Sequence, residues 1–99
     1  MSLIFKVERA SIDFDAVLSN GESIKLKFLE SNTNQIKELT AAKTTNENID
    51  MSIKLLRENV QGEKASEFID DLVENGSIDA FYGAITEALK EAKETKRKN

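Results

Sequence analysis

The sequence predicts an α+β fold: an N-terminal antiparallel β-hairpin of two to three strands, followed by about four short α-helices. Side chains in the first third of the chain alternate between apolar and polar, the pattern of half-buried strands. Apolar residues in the remainder recur every three or four positions, the pattern of amphipathic helices. The length of 99 residues predicts a single domain, residues 1–99, with one modest core.

Two alternating runs flank the sequence Ser19-Asn20-Gly21 and form the predicted hairpin. A two-residue Asn-Gly loop would set Phe14 opposite Lys27 and so mix apolar and charged side chains on one face of the sheet. A three-residue loop instead sets Phe14 opposite Leu26. We therefore predict a type I turn with a G1 bulge, in which Gly21 has a positive φ.

The segment Leu3–Val7 alternates in the same way and predicts another short strand, or else the start of one long bent strand running to Leu18. Its apolar run is too short for a signal peptide. No stretch approaches the roughly 18 apolar residues of a membrane span. We therefore expect a soluble, unprocessed, cytoplasmic protein that does not bind membranes.

Four helices are predicted from the apolar spacing and from residues that favour helix ends. Asn32 or Thr33 caps the first helix, and the stretch Thr44-Thr45-Asn46 separates it from the second. Gly62 ends the second helix, and Ser77 caps the fourth.

The chain contains no Cys and no His, which excludes disulfides, Cys-based zinc sites and Ser-His-Asp or Cys-His catalysis. Asp13 and Asp15 lie two apart on a strand, a spacing that can hold Mg²⁺ or Ca²⁺. Lys25 and Lys27 lie across from them, however, and cross-strand charge pairs explain all four residues. We therefore expect no catalytic residue, no cofactor and no tight metal site.

Charge is unevenly distributed along the chain. The net charge is −4, made up of −7 over residues 30–89, +3 over residues 90–99 and a balanced N-terminal third. Nucleic-acid binding needs a continuous basic patch, which this pattern lacks. Residues 93–99 are predicted to form a frayed basic tail, whose cations offset the dipole of the last helix.

Four amphipathic helices carry more apolar surface than a two- or three-stranded hairpin can cover. We therefore predict that part of this surface stays exposed and binds an amphipathic helix of a partner protein, and that the protein is a homo-oligomer. The residues predicted to form the partner-binding surface lie on the second and fourth helices: Ile49, Ile53, Leu56, Val60, Tyr82, Ile85 and Leu89.

The hairpin sequence Asn20-Gly21-Glu22, the helices from Asn32 onward, and the ending Asp71-Leu72-Val73-Glu74-Asn75-Gly76-Ser77 with its Lys-rich tail resemble the tail assembly chaperones of long-tailed bacteriophages and prophages in layout. The resemblance implies a non-catalytic chaperone that keeps the long, apolar, helical tape-measure protein soluble during tail assembly. No binding residue carries over from it. The alternative interpretation is a small regulatory or antitoxin-like protein that contacts nucleic acid through the basic C-terminal tail.

Overall fold

The computed structural model of the protein describes residues 2–98. Its elements, in chain order, are β1 (Ser11–Val17), β2 (Ser23–Leu29), α1 (Thr33–Thr40), α2 (Thr45–Asn59), β3 (Val60–Gln61), α3 (Ala65–Glu74) and α4 (Ile78–Lys98). The strands form one antiparallel sheet in the order β1-β2-β3. The α+β prediction is therefore confirmed.

The hairpin has the predicted register, with Phe14 opposite Leu26. The N–H of Gly21 donates to the carbonyl of Leu18 at 2.8 Å, and the N–H of Leu18 donates to the carbonyl of Glu22 at 2.8 Å. Gly21 has a φ of +91°, the left-handed region that glycine reaches without a Cβ penalty. The three-residue loop and the left-handed glycine are both confirmed.

The prediction of a strand at Leu3–Val7 is wrong, because residues 2–10 contain no regular secondary structure. The third strand is instead Val60–Gln61, which pairs with β2. A strand needs a neighbour, and no strand among residues 2–98 pairs with this segment. We call residues 2–8 the N-terminal arm. Its large apolar side chains are 80–90% exposed: Leu3, Ile4, Phe5 and Val7.

The helices begin near the predicted capping residues. The side chain of Asn32 accepts from the N–H of Gln35 at 2.9 Å, and that of Gln35 accepts from the N–H of Asn32 at 3.0 Å, a capping box at the start of α1. The hydroxyl of Thr44 accepts from the N–H of Glu47 and caps α2. These side chains satisfy backbone donors that have no partner within the helix.

The last helix is longer than the short helix that the sequence predicted. α4 has 21 residues, and its backbone stays helical through the segment assigned to a frayed tail, as far as Lys98. Within residues 2–98, no helix combines the length and the apolar character needed to cross a membrane.

The core lies between one face of the sheet and the helices. The ring of Phe81 on α4 lies 5.4 Å from that of Phe14 and 5.0 Å from that of Phe68. Burying one such side chain stabilises the fold by about 1.5–3 kcal/mol. The buried core residues are Ala16, Leu18, Leu26, Phe28, Leu56, Val60, Phe68, Ile69, Ile85 and Leu89.

Candidate interaction surface

A groove of about 940 Å³ lies between α1 and α4. Its apolar lining includes Phe28 of β2, Ile36 of α1, and Tyr82 and Leu89 of α4. Its polar lining carries hydroxyls and charges of both signs, including Glu8 of the N-terminal arm: Glu8, Arg9, Glu30, Ser31, Thr33, Thr86, Lys90, Lys93 and Glu94. A concave apolar strip with a charged border is the kind of surface that receives the apolar face of an amphipathic helix.

The two helices that line the groove are held in place by separate contacts. α1 is fixed at its first turn by its capping box, and Ile36 of the same helix is 51% exposed. α4 is joined to the end of β2 by an ion pair, in which the Nζ of Lys93 lies 2.6 Å from Glu30. Lys93, a cation of the predicted basic tail, therefore already has an acidic partner.

The hydroxyl of Tyr82 is buried and has no hydrogen-bond partner among the described residues. Burial also raises the pKa of Tyr82, which favours the neutral phenol. A phenol can both donate and accept a hydrogen bond, and leaving it buried without a partner costs about 1–3 kcal/mol. Tyr82 therefore lines the groove with a side chain whose hydroxyl is itself buried without a partner.

A partly buried hydrogen-bond network lies beside α1, where the arm joins the rest of the protein. The guanidinium of Arg9 donates to the carbonyl of Glu30 at 2.8 Å, to the Oε1 of Gln35 at 3.2 Å and to the Oδ1 of Asn59 at 2.9 Å. The amides of Gln35 and Asn59 also bond each other in both directions, at 2.9 and 3.1 Å. The network joins the chain before β1 to β2, α1 and α2, and so fixes the point from which the arm departs.

Four of the seven residues predicted to bind a partner are core residues, each at most 6% exposed: Leu56, Val60, Ile85 and Leu89. α2 runs directly into β3, which pairs with β2, so the end of α2 is carried against the sheet. The sheet and the neighbouring helices therefore bury more of the apolar helix faces than the sequence predicted. Of these four residues, Leu89 also lines the groove.

The other three predicted residues keep some exposure but do not all lie together. Tyr82 is half-buried and lines the groove. Ile49 is 46% exposed and Ile53 is half-buried, both on α2 and outside the groove lining. The prediction missed Ile36, which lines the groove. The apolar spacing places Ile36 on the apolar face of a helix, but spacing alone does not show whether the sheet covers that face.

The paired aspartates of β1 lie on the solvent side of the sheet. Lys25 lies 3.2 Å from Asp15, and Lys27 lies 3.9 Å from Asp13. The predicted cross-strand charge pairs are therefore confirmed. Between residues 2 and 98, no three acidic side chains are grouped so as to hold a metal ion.

Comparison of the chain with protein-family models, with curated proteins and with solved structures gives no match. Two features of the molecule itself bear on its function, the groove between α1 and α4 and the exposed apolar arm.

Proposed function

We propose that the protein is a non-catalytic interaction protein that binds an amphipathic helix of a partner protein in the groove between α1 and α4. The groove is the observation that carries the proposal. Ile36 and Tyr82 offer apolar contact area that the fold itself leaves open. The border carries both acidic and basic side chains, which can pair with the polar edges of a docked helix and fix its direction.

The resemblance to tail assembly chaperones supplies the identity of the partner in this proposal, the helical tape-measure protein. The protein holds apolar segments of that partner in the groove, in the cytoplasm, until tail-tube subunits cover them. The net charge of −7 over residues 30–89 supports such a role, because like charges keep complexes apart in solution.

Co-expression with the tape-measure protein of the same phage or prophage tests the proposal. The wild-type protein should co-purify with the tape-measure protein and keep it in the soluble fraction. Ile36→Asp places a charge in the apolar lining and should weaken the complex about tenfold or more, since burying an Ile side chain contributes about 1.5–3 kcal/mol. Because Ile36 is 51% exposed in the free protein, the variant should still fold.

Val73→Asp is the matched control, because Val73 is 43% exposed on α3 and lies outside the groove lining. It should bind as the wild type does. Ile49→Asp separates the groove from the stripe on α2, because Ile49 is 46% exposed there. Loss of binding with Ile49→Asp but not with Ile36→Asp would contradict the proposal that the partner helix binds in the groove. A wild-type protein that does not bind the tape-measure protein would contradict the chaperone assignment.

A further inference from the structure

β1 is an edge strand, because the sheet order β1-β2-β3 leaves one of its sides unpaired among the described residues. Its even-numbered positions bond to β2, as the ends of the ladder show: the N–H of Leu18 donates to Glu22, and the carbonyl of Ala10 accepts from Glu30 at 2.9 Å. In an antiparallel pair the bonding direction alternates along the strand. The backbone groups that point to the open edge are therefore those of Ser11, Asp13, Asp15 and Val17.

The N-terminal arm has the alternation of a strand but no strand beside it. It cannot readily fold back along its own β1, because the side chain of Arg9 is held by three acceptors and the carbonyl of Ala10 by Glu30. These contacts hold Arg9 and Ala10 against the chain after β2 and against α1 and α2. Since no strand among residues 2–98 pairs with the arm, we look for its neighbour in another molecule.

We propose that the arm of one copy adds as an antiparallel strand to the open edge of β1 in a second copy, with Lys6 opposite Asp13. The charges are complementary in this register. The same register extends the apolar face of the sheet, because it sets apolar side chains opposite each other. The pairs are Leu3 with Ala16, Phe5 with Phe14, and Val7 with Ile12. A shift by two residues sets Glu8 opposite Asp13, and two like charges across a pair are unfavourable.

Each copy has one arm and one open β1 edge; the other edge of the sheet, β3, has only two residues. Reciprocal exchange between two copies therefore occupies both β1 edges and closes the assembly as a dimer. An open edge with exposed backbone groups promotes uncontrolled association, so occupying it also protects the protein from aggregation. Strand addition takes up Val7 and Glu8, which also line the groove, but it does not involve Ile36 or Tyr82. The dimer therefore goes beyond the proposed function and does not depend on it.

Light scattering over a concentration series gives the first test. The wild-type protein should show twice the 11.1 kDa mass of the chain. Phe5→Asp should weaken the dimer about tenfold or more, because it removes the aromatic side chain at the centre of the new pair. Phe5 is 80% exposed in the single copy, so the variant should unfold at the same urea concentration as monomeric wild type.

Val73→Asp, the same kind of change on α3, should leave the mass unchanged. A wild-type protein that is monomeric at every concentration would overturn the proposal, as would a Phe5→Asp variant that dimerises like the wild type. Ile36→Asp, the groove variant, should remain a dimer. Loss of partner binding and loss of self-association are thus measured separately.

Disulfide cross-linking tests the register, and the chain has no native Cys to interfere. Lys6→Cys protein is mixed with Asp13→Cys protein and oxidised, and the mixed dimer is identified by mass spectrometry. Directly opposite residues that exchange backbone hydrogen bonds have Cα atoms about 5.5 Å apart, within the range of a disulfide. Lys25→Cys, on the inner strand β2, is the control and should not cross-link to Lys6→Cys. Equal or stronger cross-linking at Asp15→Cys would overturn the register.

Discussion

Gly21 ends the β1–β2 turn with a φ of +91°, and a Cβ built on it would meet no atom within 4 Å. The requirement for glycine at this position therefore comes from the backbone alone. The sequence could predict it, because only one loop length keeps apolar and charged side chains on separate faces of the hairpin. The residues that determine this turn all lie within the turn and its two strands.

Gly21→Val should lower the free energy of unfolding by about 1–2 kcal/mol, because a β-branched residue is strained at a left-handed φ. Urea denaturation measures the change. Gly83→Val is the control: Gly83 has equally open space but lies within α4, where Val and Gly differ little in helix propensity. Equal effects at the two positions would contradict the backbone explanation.

At the scale of elements, Asp71 joins the hairpin turn to α3. The N–H and the hydroxyl of Ser19 donate to its carboxylate at 2.7 and 2.6 Å, and the Nδ2 of Asn75 donates to it at 3.0 Å. The hydrogen bonds from Ser19 lower the pKa of Asp71 below its ordinary value. The charged carboxylate is therefore favoured by the fold, and it connects two elements that are distant in the chain.

This pKa shift predicts how stability depends on pH. A carboxyl whose pKa is lower in the folded state stabilises the fold above its unfolded pKa, and this contribution is lost as pH falls through the folded pKa. The free energy of unfolding should therefore fall as pH drops below about 4, the ordinary Asp value. Asp71→Asn should reduce that dependence and lower the stability at pH 7. Urea midpoints from pH 7 to pH 2 measure both effects.

Asp50→Asn, on an exposed part of α2, is the control for Asp71→Asn and should keep the wild-type profile. A profile for Asp71→Asn that matches the wild type throughout would mean that the bonds to Ser19 contribute nothing to the acid dependence. The carboxylate would then be an exposed surface group without influence on the hairpin.

The elements that the sequence predicts well are those with local signals. The hairpin and the start of α1 at Asn32 depend on residues within a few positions of one another. β3 has only two residues and forms because α2 delivers Val60 to the side of β2, which no local pattern encodes. Alternation in Leu3–Val7 indicates a strand-forming segment but does not say which molecule supplies its neighbour.

The network of Arg9, Gln35 and Asn59 joins parts of the molecule that are far apart in the chain. It links the segment before β1 to α1 and to the end of α2. Asn59 is 1% exposed and Gln35 is 8% exposed, so their polar groups depend on each other for hydrogen bonds. Polar residues of this kind carry no periodic signal. The groove could not be predicted from the sequence for a related reason. Ile36 and Tyr82 line the same groove only because α1 and α4 pack side by side in the folded protein.

Asn59→Leu should lower the free energy of unfolding by about 1–3 kcal/mol, because it removes the amide that bonds both Arg9 and the buried side chain of Gln35. The double variant Asn59→Leu with Gln35→Leu should cost less than the two single changes together, since each removes the partner that the other lacks. Urea denaturation of the three variants measures this coupling. Strictly additive effects would show that the three side chains do not act as a network.

The exposed arm and the 21-residue α4 give the protein an elongated outline of 54 × 35 × 20 Å. Its radius of gyration is 15.2 Å, against about 13 Å for a compact domain of 100 residues. An elongated particle experiences more friction in solution than a sphere of the same mass, so it diffuses more slowly. On a gel-filtration column calibrated with compact proteins, even the monomer will elute early and resemble a heavier species.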